Sequence, residues 1–312
     1  MAVHVVVGAG PVGSATARLL AGRGERVRLL TRRGGGPELP GIERVAADAT
    51  DAEALTRHAG DAVALYNCAG PPYHRWTTEW PPLGAALVRC AGTTGAVLVT
   101  TGNLYGYGSV DAPMTEDLPL RPNSVKGRVR AALWTEALAA HEAGRIRTAE
   151  VRGSDYLGAG TVSPFSVLVL PKVIAGRRGQ VPADLDAPHS WTYAGDVART
   201  LVAVAADETA WGRAWHVPTA PPLSVRDLAV RTAALAGAPA PRIGVMPRAA
   251  LRLAGLFNPT AREMLETQYQ FRGPFVLDSS AATAAFGIEP TPTDEALREM
   301  IDDARSSAAR KA

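Results

Sequence analysis

Lysine is nearly absent from this chain, with three lysines against thirty arginines in 312 residues. Cysteine is as scarce, with only Cys68 and Cys90. Two cysteines make no disulfide framework, which excludes the small stapled folds and fits a reducing, cytoplasmic setting. No apolar run approaches the ~18 residues that span a bilayer, and the opening MAVHVVVGAG enters a strand with no charged leader before it. A membrane is therefore not an expected partner. The net charge is only +3 and the arginines are scattered among acids. Without a basic run to track phosphates, nucleic acid is not an expected partner either. The length is enough for one large domain or two closely joined ones.

What the chain does have is a regular alternation of strand and helix patterns. Residues 3–10 are a β-branched run closed by glycines, and 11–24 follow with helical spacing of Val12, Ala15, Leu19 and Leu20. Further strands are expected at 26–31, around 44–50, at 61–70, 96–103 and 145–155, with helices at 51–60, 82–95 and 126–144 between them. Single helices between strands impose crossovers and a parallel sheet covered on both faces. The expected fold class is α/β, a Rossmann-type doubly wound sheet with its ligand at the carboxyl ends of the strands.

The first turn reads G8-A9-G10-P11-V12-G13, a G-x-G-x-x-G between strand and helix. Gly8 permits the tight turn, Gly10 lets backbone approach a pyrophosphate, and Gly13 lets helix and strand pack closely. Pro11 and Val12 open the helix whose N-terminus would meet the phosphates. Forms that select NAD(H) end the second strand on an acid that holds the ribose. Here that place is Thr31, followed by Arg32 and Arg33. Two guanidiniums and no carboxylate favour NADP(H) over NAD(H). Asp48, at the end of the third strand, is a candidate for the adenine, or equally a helix-entry aspartate.

From these residues on, the chain resembles the short-chain dehydrogenase/reductase superfamily, in its extended or atypical branch with the NAD(P)-dependent epimerases and dehydratases. Asn67-Cys68-Ala69-Gly70 looks like the family's Asn-Ala-Ala-Gly element, and T100-T101-G102-N103-L104-Y105-G106 resembles Ser-Ser-x-x-Val-Tyr-Gly. The likeness gives Thr101 the place of the catalytic Ser/Thr. Residues 152–158, RGSDYLG, resemble Arg-x-x-x-Tyr-Gly, which sets Arg152, Ser154 and Tyr156 beside the nicotinamide. Residues 191–199, WTYAGDVAR, resemble the segment that returns the chain to the sheet, with Asp196 read as an N-cap. The resemblance also implies an NADP-binding domain over 1–158, rejoined by 189–218. A substrate lobe would be formed by 159–188 and 219–312. A homodimer would form through the helices around 82–92 and 126–143.

One family feature is missing. Typical members carry Tyr-x-x-x-Lys on one helix face, the lysine holding the nicotinamide ribose and lowering the tyrosine's pKa. Lys126 is present, but four residues earlier stands Pro122, which has no proton to give. The candidate donors are then Lys126 itself or a displaced phenol, Tyr73, Tyr105 or Tyr107, each close to the carboxyl end of a strand. The aromatic set Tyr73, Trp76, Trp80, Tyr105 and Tyr107 fits a flat or apolar small-molecule substrate. The expected activity is NADPH-dependent reduction of a small carbonyl, imine or conjugated C=C. The alternatives are an NAD(P)-dependent epimerase or dehydratase, a cofactor-independent cyclase or isomerase, and a non-catalytic NADP(H) sensor. No metal site is expected.

Overall fold

The computed structural model describes residues 1–257 and 259–310. Among them a seven-stranded parallel sheet forms the centre. Its strands are β1 (Val3–Val7), β2 (Arg26–Thr31), β3 (Ile42–Ala46), β4 (Ala62–Asn67), β5 (Val97–Asn103), β6 (Thr148–Gly153) and a late strand, β10 (Ala214–His216). Their order is β10-β6-β5-β4-β1-β2-β3. The chain steps outward from β1 through β2 to β3, then returns to lay β4 on the other side of β1. That reversal opens a crevice at the carboxyl ends of β1 and β4, where such sheets take ligands. Val5, Val6, Leu65, Leu98 and Val99 are all but fully buried, as strands covered on both faces require.

Helices α1 (Pro11–Gly22) and α6 (Ala194–Ala206) cover one face. Ala17, Leu20, Val197 and Leu201 pack there against Val6, Val99 and Val151. Helices α2 (Ala52–Ala59), α3 (Trp76–Thr94) and α4 (Val125–Glu142) cover the other. Leu55, Leu83, Leu87 and Cys90 pack there against Val5, Leu65 and Leu98. Helix α3 starts six residues before the expected 82 and carries Pro81 and Pro82 inside it. Trp76, Trp80, Leu83 and Leu87 recur on one face and are all buried. That apolar stripe outweighs the N–H groups the two prolines forfeit.

The remaining elements are β7 (Asp155–Leu157), α5 (Leu170–Ile174), β8 (Gly179–Val181), β9 (Trp191–Tyr193), α7 (Val225–Ala236) and β11 (Ile243–Val245). They are followed by α8 (Arg248–Phe257), α9 (Pro259–Thr267), α10 (Ser280–Phe286) and α11 (Thr293–Ala309). Phe165, Val173, Trp191, Leu228, Phe271, Leu297 and Ile301 build a separate core among them. Helix α10 falls within the span expected to form the substrate lobe, yet Ala282 packs into the core of the main sheet. Asn258, Lys311 and Ala312, also within that span, lie outside the described residues. Asp196 is not the cap of α6: it is buried, and its carboxylate accepts from the Thr291 N–H at 2.7 Å and hydroxyl at 2.6 Å, tying the last segment to the sheet. Among the described residues no helix is long and apolar enough to cross a membrane.

Candidate active site

The turn from β1 into α1 shapes the crevice. Gly8 has φ +97°, and a Cβ on it would stand 2.7 Å from the Ala69 backbone, so this turn closes only over a glycine. A Cβ at Gly13 would overlap the Gly8 carbonyl oxygen, which is how closely α1 presses on the turn. Gly10 differs, since a Cβ there would meet nothing within 4 Å. That open space suits a ligand backbone. No side chain caps α1 at Gly10, and Pro11 follows at the first position. The helix's leading N–H groups and positive dipole end are therefore left for an anion.

A cavity of about 560 Å³ extends from this turn, with Thr31, Arg32, Asp48, Cys68 and Ala69 in its wall. Arg33 is exposed and outside that wall. The Thr31 hydroxyl accepts from the Gly35 N–H at 2.9 Å and so shapes the loop after β2. Asp48 accepts from the Thr50 N–H at 3.0 Å and hydroxyl at 2.9 Å, and these bonds hold its carboxyl below the usual range.

A second cavity of about 300 Å³ adjoins the first, Gly10, Cys68, Ala69 and Gly70 walling both. Pro11, Val12, Thr101, Ser154 and Tyr156 line it. Among the described residues the Thr101 hydroxyl has only the Cys68 sulfur, 3.6 Å away, as acceptor, a weak partner that a ligand oxygen would displace. Tyr73 and Tyr105 stand in the same wall with their hydroxyls 2.6 Å apart. Burial pushes Tyr73 up to about 12 and Tyr105 well above its ordinary value, so both phenols hold their protons at neutral pH. Tyr156 donates to the Gly102 carbonyl oxygen at 3.0 Å. The cation in this wall is Arg130, whose guanidinium lies 4.7 Å over the Trp80 ring and donates from Nη2 to the Thr101 carbonyl oxygen.

Besides Arg33, four expected site residues lie elsewhere. Lys126 is in neither wall. Its ammonium, 2% exposed, is bonded by Glu263 and, at 2.7 Å, by Glu266 of α9, so it is occupied by the C-terminal part of the chain. Tyr107 is buried behind the cavity, where its oxygen accepts from Arg152 Nη1 at 2.7 Å. Tyr107 also meets His216 Nε2 at 2.8 Å, while His216 Nδ1 meets the Asp278 carbonyl oxygen at 2.7 Å. A carbonyl only accepts, so Nδ1 carries the imidazole hydrogen and Tyr107 donates to Nε2. Arg152 gives its Nε–H to Glu150 at 2.7 Å and lines neither cavity. Asn67 borders a small cleft beneath α3 and α4, outside both cavities.

The comparisons with known proteins fit this architecture. A model of the NAD dependent epimerase/dehydratase family matches residues 4–217. The chain belongs to that family. Its fold is shared by the UDP-glucose 4-epimerase of Thermus thermophilus in complex with NAD, at 19% identity and TM-score 0.76, covering 98% of this chain and 100% of that one. It is shared too by the UDP-glucuronic acid 4-epimerase of Bacillus cereus in complex with NAD, at 15% identity and TM-score 0.79, covering 98% and 99%. A third is the dTDP-glucose 4,6-dehydratase DesIV of Streptomyces venezuelae, at 20% identity and TM-score 0.76, covering 99% and 98%. No curated protein matches the chain.

In this epimerase/dehydratase-family chain α4 starts at Val125, capped by the Ser124 hydroxyl accepting from the Gly127 N–H at 3.0 Å. The i,i+4 pair on its first two turns is therefore Lys126 and Arg130. Of the two, Arg130 lines the aromatic cavity and Lys126 does not. Sequence reasoning missed Arg130 because it is one of thirty arginines. The i+4 step from Lys126 was the signal that could have found it.

Two outcomes follow from this packing. Lys126→Met leaves Glu263 and Glu266 facing each other without a counter-ion. The expected loss is about 2–3 kcal/mol, below the fully buried range because both glutamates are partly exposed. Denaturant unfolding checks the loss, and hydrogen exchange should show α9 losing protection. An unchanged α9 would mean that the Lys126 ion pairs do not hold it in place. The second concerns acid. Burial lowers His216 below its ordinary 6.5, amid Glu116, Arg152 and Asp278. Below that value the unfolded imidazole binds a proton the folded one refuses, so stability falls as pH drops through 6.5. Urea unfolding at pH 7.5 and 5.5 should show a smaller difference in His216→Asn.

Proposed function

We propose that this chain is a nicotinamide-dinucleotide-dependent enzyme of the epimerase/dehydratase kind, acting at a carbinol or carbonyl carbon of a small, flat, mainly apolar substrate. One observation carries the reading. The long groove over the Gly8–Gly13 turn meets an aromatic cavity that holds Thr101 and the Tyr73–Tyr105 pair. A dinucleotide in the groove supplies the hydride acceptor or donor at that junction. The chain's own residues do the rest. Gly10 and the start of α1 seat the pyrophosphate, and the Thr101 hydroxyl hydrogen-bonds the substrate oxygen. The protonated phenol pair donates to that oxygen in place of the absent family tyrosine, while Trp76, Trp80 and Phe275 keep water from it.

The solved relatives are named for UDP-glucose, UDP-glucuronic acid and dTDP-glucose. A nucleoside diphosphate needs cations on the substrate side. From the C-terminal part of the chain this inner cavity takes Thr161, Val162, Gln270 and Phe275, none of them a cation, and its one cation among the described residues is Arg130 of α4. That favours a smaller substrate. Family membership favours a reaction with no net change in the cofactor's redox state. Net reduction by NADPH is the second reading, favoured by Arg32 and Arg33 after a β2 that ends without an acid.

Absorbance at 340 nm with a panel of small alcohols, ketones, imines and enones tests both readings. Substrate conversion without a lasting absorbance change supports the first, and stoichiometric NADPH loss supports the second. Failure of both NAD+ and NADP+ to bind in calorimetry overturns the two together. Arg32→Ala/Arg33→Ala is expected to weaken NADP+ about tenfold or more, the worth of one or two charge-assisted bonds to a phosphate. NAD+ affinity should be unchanged. Equal losses for both cofactors would remove the NADP preference.

A further inference from the structure

Arg130 and Arg152 are both buried, and between them they have one carboxylate, Glu150, itself 5% exposed, at 3.5 and 2.7 Å. Among the described residues Glu150 is the one carboxylate that either guanidinium meets, and Arg130 reaches it only at 3.5 Å. Asp155, in the cavity wall, is held by His189 Nε2 at 2.9 Å, and Glu263 and Glu266 hold Lys126. Of the two guanidiniums, that of Arg130 lines the aromatic cavity and that of Arg152 does not.

The unpartnered atoms on the same wall agree. Among the described residues Arg130 Nε, Trp80 Nε1 and Ser154 Oγ are buried without hydrogen-bond partners, and all three residues are more than nine-tenths buried and line this cavity. A guanidinium N–H and an indole N–H can only donate, and a hydroxyl can donate. A set of donors beside a positive charge is complementary to a group that only accepts. Such buried donors left unmatched cost stability, so their persistence here points to a ligand that satisfies them.

We propose that Arg130, Trp80 and Ser154 form a carboxylate subsite, and that the substrate is a small carboxylic acid whose flat apolar body lies among Tyr73, Trp76 and Phe275. This rests on the reading of the aromatic cavity as the substrate site. The planar guanidinium fork matches a carboxylate, and its stacking on Trp80 fixes the plane in which the acid is received. With Arg130 also bonded to the Thr101 carbonyl, the carboxylate is held next to the hydroxyl that meets the reacting oxygen.

Calorimetric titration of the full chain with benzoate and with its uncharged twin benzamide, each with and without saturating NADP+, tests the subsite. Benzoate is expected to bind about tenfold tighter than benzamide, as one charge-assisted fork contact allows. Arg130→Gln should abolish that difference while leaving NADP+ affinity within about threefold, a change too small for a lost charge-assisted bond. Trp80→Phe, which keeps the ring and removes only the indole donor, should weaken benzoate and leave benzamide unchanged. Equal binding of the two probes by the wild-type protein overturns the proposal without recourse to any variant. So does an Arg130→Gln protein that loses NADP+ but keeps the benzoate preference, since the guanidinium then serves the cofactor. Arg130-dependent benzoate binding in a protein that binds neither dinucleotide leaves the subsite standing and removes the cofactor reading.

Discussion

Glu150→Gln is expected to lower the thermal midpoint by about 10 °C. The substitution keeps shape and hydrogen-bonding reach and removes only the charge, so the effect reads electrostatics rather than packing. Without the carboxylate, two buried guanidiniums face each other, and breaking a buried pair in this way costs about 3–5 kcal/mol. A chain of this size shifts by about 2–4 °C for each kcal/mol. Glu43→Gln is the matched control. Its partner Arg28 lies 3.3 Å away, but Glu43 is 61% exposed, and water already screens such a pair. Differential scanning calorimetry of both variants decides the matter. A midpoint within 2 °C of wild type for Glu150→Gln would mean that the two guanidiniums do not depend on the Glu150 charge.

Thr101→Val is expected to reduce turnover about a hundredfold, the range in which one hydrogen-bond donor at a reacting oxygen operates. Valine is nearly isosteric, and the hydroxyl it removes has, among the described residues, only the Cys68 sulfur as acceptor. Stability and dinucleotide affinity should therefore stay close to wild type. Single-turnover absorbance with a substrate from the panel provides the rate, and calorimetry the affinity. A variant keeping a third or more of the wild-type rate would place the reacting oxygen away from Thr101. A parallel loss of cofactor affinity would make the threonine part of the groove instead.

The sheet was legible in the sequence because each of its parts is a local signal. A β-branched run, a glycine turn and an amphipathic helix recur in order, and the glycines at 8 and 13 each answer a separate steric demand while Gly10 leaves open space. Thr101 and Ser154 could be placed because they leave the carboxyl ends of named strands, which the topology points at the crevice. The start of α3 was not legible. Pro81 and Pro82 announce a helix boundary locally, and only the burial of Trp76 and Trp80 against the sheet overrules them.

Which basic residue faces the site shows the same division. Sequence by itself determined that α4 would carry a cation at each of its first two turns, Lys126 and Arg130, and that no tyrosine would stand beside them. It could not determine which cation meets the cavity, because the answer depends on residues far away in the chain. Glu263 and Glu266 come from 137 and 140 residues further on to bond the lysine. Trp80 and Glu150, from two other elements, hold the arginine at the cavity wall. Periodicity fixes a residue's face on its own helix, but which partners reach that face is set by long-range packing.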